Sequence, residues 1–191
     1  MGYPYALLSV NDLTSVLALI FIYKIILQYV DEKYALWITF VFAVFPARWL
    51  IVRSVGSAEP LFIASTVASI YYFQQKKYWP AGIWGVVAQL TKSPGILLFI
   101  TYFLALSVPN MKIAAIDSVG KWIKSLNFEK VYPIFLIPLS LLALFIFYGI
   151  RFNDFFAYFH SGDNIHIFFP PFTIFNYSQP WVGTFWLEEI I

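Results

Sequence analysis

Long apolar segments follow one another along the chain, with only short polar connections between them. They cover residues 7–30, 34–52, 59–74, 78–91, 94–107 and 131–150. About 20 apolar residues carry a helix across the hydrocarbon core of a bilayer, because a helix rises about 1.5 Å per residue. The three segments between residues 59 and 107 are shorter than that. The pattern predicts an all-α, polytopic membrane protein with about six transmembrane helices, some of them short. A partial seventh segment begins near Trp181.

The composition agrees with a single transmembrane domain over residues 1–191 and excludes several other classes of protein. Hydrophobic residues make up 61% of the chain and charged residues 12%, against about 45–50% and about 25% in soluble domains. The absence of cysteine excludes disulfides and thiolate metal sites. The net charge of +2, with no long basic run, argues against nucleic-acid binding. The sequence has no P-loop, dinucleotide fingerprint, HExxH or GxSxG motif.

The segment Leu90–Gly95, with the sequence LTKSPG, interrupts the apolar residues between 78 and 107. If 78–107 were one span, Lys92 would lie in hydrocarbon, and the lysines and arginines would divide six against five between the two sides. If the chain turns here, they divide eight against four, as the positive-inside rule requires. Pro94 and Gly95 also favour a break in the helix. The sequence therefore predicts two short helices joined by an outer turn.

This topology places the stretch 46–60, the turn at 91–95 and a long loop at 151–180 on the extracytoplasmic side. Glu59 and Lys92 would then lie at the outer ends of neighbouring helices and could line one cavity at membrane level. Glu59 is equally explained as an acidic residue in a first helical turn, where the macrodipole favours it and Pro60 pre-organises the helix. Asp12 is expected to lie at the start of the first helix, as part of its cap.

Arginines are the other cations expected on the outer side. Arg48 and Arg53 flank the short apolar stretch WLIV, and there they either extend to the interface or bind phosphate. Both interpretations remain open from the sequence.

One stretch resembles a known family. It runs from Phe45 to Phe99 and reads FPARWLIVRSVGSAEPLFIASTVASIYYFQQKKYWPAGIWGVVAQLTKSPGILLF. It is similar to the GT-C superfamily of membrane glycosyltransferases, and most similar there to the family of the second GPI mannosyltransferase (PIG-V) and its prokaryotic relatives. The matching residues are Phe45-Pro46, Ser57, Glu59-Pro60-Leu61-Phe62, Leu90-Thr91 and Gly95. Lys92 replaces the family's usual arginine, and Ala58 interrupts its Ser-Glu pair. The later stretch FNDFFAYFHSGDN loosely resembles a further loop of the family, so the likeness covers about residues 8–165.

The resemblance implies a function. Such enzymes transfer a sugar, here expected to be mannose, from a polyprenyl- or dolichyl-phosphate donor to a glycan, lipid or protein acceptor on the extracytoplasmic or lumenal face. The membrane is a prokaryotic plasma membrane or that of the endoplasmic reticulum, and its lipids are further partners. Lys92, with Arg48 or Arg53, would bind the donor phosphate. Glu59, with Ser57 beside it, would bind acceptor hydroxyls or a divalent metal ion, the only cofactor expected.

The catalytic carboxylate is the point at which the sequence departs from this family. In the GT-C superfamily it lies in the first outer loop, after a first span, and nothing before residue 7 of this chain could form that loop. We therefore expect the general base to be absent from the chain, which is either a fragment or a relative without its base. The alternative is a non-catalytic transporter module or accessory subunit. An inverted repeat would favour transport, and none is obvious.

Overall fold

The computed structural model describes residues 3–44, 56–107 and 132–160. Within these ranges the chain is almost entirely helical and forms no strand. The helices are α1 (Tyr3–Ile26), α2 (Glu32–Val44), α3 (Glu59–Gln74), α4 (Tyr78–Thr91), α5 (Ile96–Ser107), α6 (Leu136–Phe152) and the short α7 (Ala157–His160). Single 3₁₀ turns, Ser93–Gly95 and Tyr132–Phe135, precede α5 and α6.

Two helical stretches in the described part of the chain are long and apolar enough to cross a membrane, namely Tyr5–Ile26 and Tyr132–Phe152. The all-helical class is confirmed for the described residues, because they form helices and no strand. The larger number of about six spans remains a prediction, since α2, α3, α4 and α5 have only 12 to 16 residues each.

The first helices pack side by side, and α3 lies between α1 and α4. α1 runs parallel to α3, because Leu7 lies against Gly56 just before α3 begins and the ring of Phe21 meets that of Tyr71 near its end, with centroids 5.6 Å apart. α3 and α4 are antiparallel and are joined by a tight turn. In that turn Lys76 adopts a positive φ of 58°, and the Lys77 amide donates to the Tyr72 carbonyl oxygen.

The predicted break in the 78–107 segment is confirmed. α4 ends at Thr91, Lys92 is extended, and the Gly95 amide closes the turn by donating to the Lys92 carbonyl oxygen at 3.0 Å. Gly95 lies so close to the backbone of Gln89 that a Cβ there would overlap it. α5 then runs back along the bundle, because the Tyr102 hydroxyl contacts Ser69, which itself bonds the Ala81 carbonyl. In one straight helix, residues 81 and 102 would be about 30 Å apart.

Small side chains fill much of the contact between α3 and α4, and many large apolar side chains are exposed. The residues buried on α3 and α4 include Ala64, Ser65, Ala68, Ser69, Ala81, Gly82, Gly85 and Ala88. Gly82 lies against the carbonyl of Pro133, and Gly85 lies against the side chain of Ile137. The exposed residues include Leu13, Val16, Trp37, Phe40, Leu97, Ile100, Leu104, Leu139 and Leu142. Some large apolar side chains are buried, among them Ile134 and Ile137, but many others remain exposed, whereas a soluble core buries most of them.

A second compact unit begins at Phe145. Within it, the ring of Phe145 stacks on that of Phe155 with centroids 5.4 Å apart, and the Asp154 carboxylate accepts a hydrogen bond from the Phe156 amide. The predicted outer loop 151–180 therefore begins with the end of α6 and with α7. Residues 161–180 and the segment from Trp181 lie outside the described residues.

Candidate functional site

The N-terminal end of α3 and the C-terminal end of α4 are joined by an ion pair between Glu59 and Lys92. Glu59 is the first residue of α3, and Lys92 directly follows the last residue of α4. Because these two helices are antiparallel neighbours, the start of one meets the end of the other. The Lys92 ammonium donates a hydrogen bond to the Glu59 carboxylate, although the two residues are 33 positions apart in the sequence. The sequence predicted that Glu59 and Lys92 would lie at the ends of neighbouring helices and line one cavity. The structure brings the two side chains into contact, and the cavity stays a prediction.

Local sequence explains why each side chain reaches this point. Ala58, the N-cap residue of α3, makes no side-chain capping hydrogen bond. The Glu59 carboxylate supplies negative charge to the first turn, and Pro60 occupies a position that needs no amide donor. Ser57 hydrogen-bonds the same carboxylate. Lys92 is extended rather than helical, with its amide still bonded to the Ala88 carbonyl oxygen. The backbone turn therefore aims its side chain across the helix end.

The pair is neither fully buried nor free in solvent. The side chain of Lys92 is 36% exposed and that of Glu59 is 25% exposed. An ion pair with this exposure is only partly screened, and either partner can still be reached by another ligand. The helix dipole and the ion pair act together on Glu59, since both stabilise a negative carboxylate at the N-terminus of α3.

Of the other predicted site residues, Ser57 lies beside Glu59. Arg48 and Arg53 lie outside the described residues. A metal-binding role for Glu59 stays a prediction, and the arrangement is a poor fit for one. A single carboxylate is present, it is already paired with an ammonium group, and the described ranges hold no group of three potential ligands among His, Cys, Asp and Glu.

The structure corrects one expectation near this site. α1 begins at Tyr3, so Asp12 lies well inside the helix and is exposed, and it does not cap the helix. Its neighbour Asn11 is only 3% exposed. The contacts of α1 with Gly56 and Tyr71 place Asn11 within about one turn of Glu59 along the bundle axis. Asn11 was not among the site residues predicted from the sequence. The helical spacing of Asn11, Ser15 and Ala18 was the signal that could have identified it.

Gln89 is the second residue that the sequence analysis missed. It lies one turn before Lys92, is 3% exposed, and its side-chain oxygen has no hydrogen-bond partner among the described residues. A buried carbonyl without a partner costs about 1–3 kcal/mol. The polar groups at this end of the bundle thus come from α1, α3 and α4 together.

No family model matches the sequence, and no curated protein or solved structure is significantly similar to it. The function is therefore inferred from the Glu59–Lys92 site and from the packing of the helices.

Proposed function

We propose that this chain is a multi-spanning membrane glycosyltransferase. It transfers a sugar, mannose in our assignment, from a polyprenyl- or dolichyl-phosphate donor to an acceptor on the extracytoplasmic or lumenal face. Two parts of the proposal have separate support: the insertion of the whole helical bundle in a membrane, and the chemistry at the outer ends of α3 and α4.

The packing of the helices supports membrane insertion beyond the two helices of sufficient length. Small residues at helix contacts, as at Gly82 and Gly85, are typical of membrane bundles, in which backbones approach closely and lipid contacts the large side chains. In water, the exposed leucine, isoleucine and phenylalanine side chains of α2, α5 and α6 would form apolar patches far larger than soluble monomers carry.

The contact between Glu59 and Lys92 is the observation that carries the transferase proposal. Both residues belong to the two motifs that resemble the GT-C family, one in Glu-Pro-Leu-Phe and the other in Leu-Thr-Lys. The fold brings these two motifs to one point at a helix-bundle end, where a lipid-linked substrate would meet them. An isolated anchoring lysine would have no need of a partner on another helix.

The reaction we assign is an inverting displacement at the anomeric carbon of the donor sugar. The acceptor hydroxyl oxygen forms the new bond while the bond to the phosphate oxygen breaks, and the phosphate leaves with the electron pair. Lys92 stabilises the negative charge that develops on that oxygen, because a fixed cation is most effective where charge appears in the transition state. The acceptor proton passes to a carboxylate base, which we do not assign to any residue of this chain.

Glu59 has two roles in this scheme. Without substrate it pairs with Lys92 and holds the ammonium at the helix end. When a phosphate takes over the ammonium, the Glu59 carboxylate is released as an acceptor of hydrogen bonds from sugar or acceptor hydroxyls. Ser57, which hydrogen-bonds this carboxylate, keeps it oriented during the exchange.

Binding of the donor tests the proposal without needing the general base. The purified chain, in neutral detergent, is titrated with a short-chain polyprenyl-phosphate mannose and with the matching unphosphorylated polyprenol. We expect the wild type to prefer the phosphorylated lipid and Lys92→Gln to lose that preference by roughly tenfold to a hundredfold, the loss of one charge-assisted contact. Equal binding of both lipids to the wild type would reject a transferase of this class and favour an accessory or transport role.

A further inference from the structure

The opposite end of the same bundle carries a second polar surface that takes no part in the proposed reaction. It lies where α1 turns into α2 and where α3 turns into α4. Its members are Lys24, Gln28, Tyr29, Gln74, Lys76 and Lys77, and we call it the basic turn surface. All six residues belong to the first compact unit.

Side-chain hydrogen bonds join the two turns of this surface. The Gln28 amide donates to the Gln74 side-chain oxygen at 3.4 Å, and the Gln74 amide donates to the Tyr29 hydroxyl oxygen at 3.2 Å. The Gln74 carboxamide thus links α3 to the residues that follow α1. The link holds an exposed tyrosine, 72% accessible, in a defined position beside the lysines.

The lysines are also placed by the fold. The Lys24 ammonium lies 5.7 Å from the centroids of both the Phe21 and Tyr71 rings, so the two rings hold the charged group itself, and the residue remains exposed. Lys76 and Lys77 form the turn that begins two residues after Gln74. Lys33, in the first turn of α2, adds a fourth cation, and only Asp31 and Glu32 oppose these four in the same connections. The surface is therefore net positive.

A shallow open cleft of about 480 Å³ adjoins this surface. Leu27, Val30 and Tyr34 supply its apolar side, and Gln28, Tyr29 and Asp31 supply its polar side. Amphipathic aromatic side chains of this kind favour the headgroup level of a bilayer, with the ring toward the acyl chains and the hydroxyl toward water. The lining of the cleft is mainly polar, and its one charged residue is Asp31. The cleft therefore offers hydrogen-bonding groups, while the cations come from the neighbouring lysines of the basic turn surface.

We propose that the basic turn surface binds the headgroup of an anionic phospholipid in the inner leaflet. The lysines contact the phosphate and the headgroup charge. The Tyr29 hydroxyl and the side-chain amides of Gln28 and Gln74 donate hydrogen bonds to headgroup oxygens. The first part of the acyl chains lies along Leu27 and Val30. This inference depends on the membrane insertion proposed above and not on sugar transfer. Each lysine near the surface of an anionic leaflet raises the affinity of the protein for that surface by about fivefold.

The test uses the full chain in neutral detergent, with phosphatidylglycerol as the probe and phosphatidylcholine and inorganic phosphate as comparisons. Native mass spectrometry measures lipid retained, and the shift in the thermal unfolding midpoint measures stabilisation. We expect phosphatidylglycerol to be retained in preference to phosphatidylcholine. The double variant Lys76→Gln/Lys77→Gln should bind it roughly twenty- to thirtyfold more weakly, with an unchanged unfolding midpoint in detergent alone.

Arg151→Gln is the matched control, because it removes an exposed cation that is not a member of the basic turn surface. It should bind phosphatidylglycerol as the wild type does. The proposal is overturned if the wild type retains both lipids equally, or if Arg151→Gln weakens binding as much as the double lysine variant does. Stabilisation by inorganic phosphate equal to that by phosphatidylglycerol would likewise overturn it, because it would indicate a site for free phosphate. Donor binding at the Lys92 end is measured in neutral detergent without anionic phospholipid and is unaffected by any of these outcomes.

Discussion

The carboxylate of Glu59, the first residue of α3, forms an ion pair with the ammonium of Lys92, the residue that directly follows α4. Neither residue is held there by its own helix alone. The antiparallel packing of α3 and α4 brings together two groups that are 33 positions apart. The pair thus couples the position of the turn at Ser93–Gly95 to the start of α3, and this coupling is measurable.

The first prediction concerns the strength of this coupling. Glu59→Gln, Lys92→Gln and the double variant form a cycle in which the free energy of unfolding is measured in detergent. Because both side chains are partly exposed, we expect a favourable coupling energy of about 1 kcal/mol, near the upper value for surface pairs. The two substitutions should therefore cost less together than the sum of their separate effects. Simple additivity would mean that the contact contributes nothing to stability.

The second prediction concerns the catalytic role of Lys92. Lys92→Gln should lower sugar transfer from the polyprenyl donor by roughly tenfold to a hundredfold, measured in membranes that contain the expressed protein. Lys92→Arg should keep most of the activity, since guanidinium also binds phosphate. Transfer rates are compared at matched expression. Equal rates for wild type, Gln and Arg would reduce Lys92 to an interfacial anchor.

The third prediction tests the close approach of α4 to residues 132–137. Gly82→Ala and Gly85→Ala should each destabilise the fold by about 1–3 kcal/mol, because the new Cβ overlaps the Pro133 carbonyl or the Ile137 side chain. Gly82→Ala should cost more, since a backbone carbonyl yields less than a side-chain end does.

Gly149→Ala is the control for both, because its Cβ would meet nothing nearer than Phe155 at 3.8 Å. That change should be neutral or stabilise α6 by up to about 1 kcal/mol. Thermal unfolding of the three variants in one detergent decides the matter. Equal midpoints for Gly82→Ala and Gly149→Ala would contradict the close contact.

The fourth prediction separates two buried hydroxyls. The Ser69 hydroxyl donates to the Ala81 carbonyl oxygen at 2.7 Å and lies 2.8 Å from the Tyr102 hydroxyl. Ser69→Ala should destabilise by about 1–3 kcal/mol, because it leaves the Tyr102 hydroxyl buried without this partner. Tyr102→Phe should cost less, since Ser69 keeps its bond to Ala81. The reverse order of the two unfolding free energies would show that the hydroxyls are not arranged in this way.

The fifth prediction concerns sidedness, and the chain is well suited to it because it has no native cysteine. Ser93 and Gln75 are both exposed, at opposite ends of α4. A cysteine at Ser93 should react with an impermeant thiol reagent added outside, and one at Gln75 should react only from the cytoplasmic side. Labelling of both from one side would contradict the eight-against-four division of the lysines and arginines.

Local features of the sequence were enough to determine the helical class and the break at Lys92–Gly95. Apolar segments of helical length can be recognised from the composition of neighbouring residues alone, and the adjacent Pro94 and Gly95 disfavour continuation of the helix. For the same reason the sequence placed Glu59 correctly in the first turn of α3. The boundaries of the first helix were less accurate. Residues 27–30, although apolar at three positions, form a turn tied to α3 through Gln28 and Gln74.

Only the tertiary structure decided which side chains meet. Glu59 could be predicted to lie near Lys92, but their direct contact depends on the register between α3 and α4. The burial of Asn11 and Gln89 depends in the same way on the face that each helix turns toward its neighbours. In a transmembrane helix the sequence gives little indication of which face is buried, because the lipid-exposed and the buried residues are both apolar. The orientation is set by where small residues such as Gly82 and Gly85 let backbones approach, and that is a property of pairs of helices.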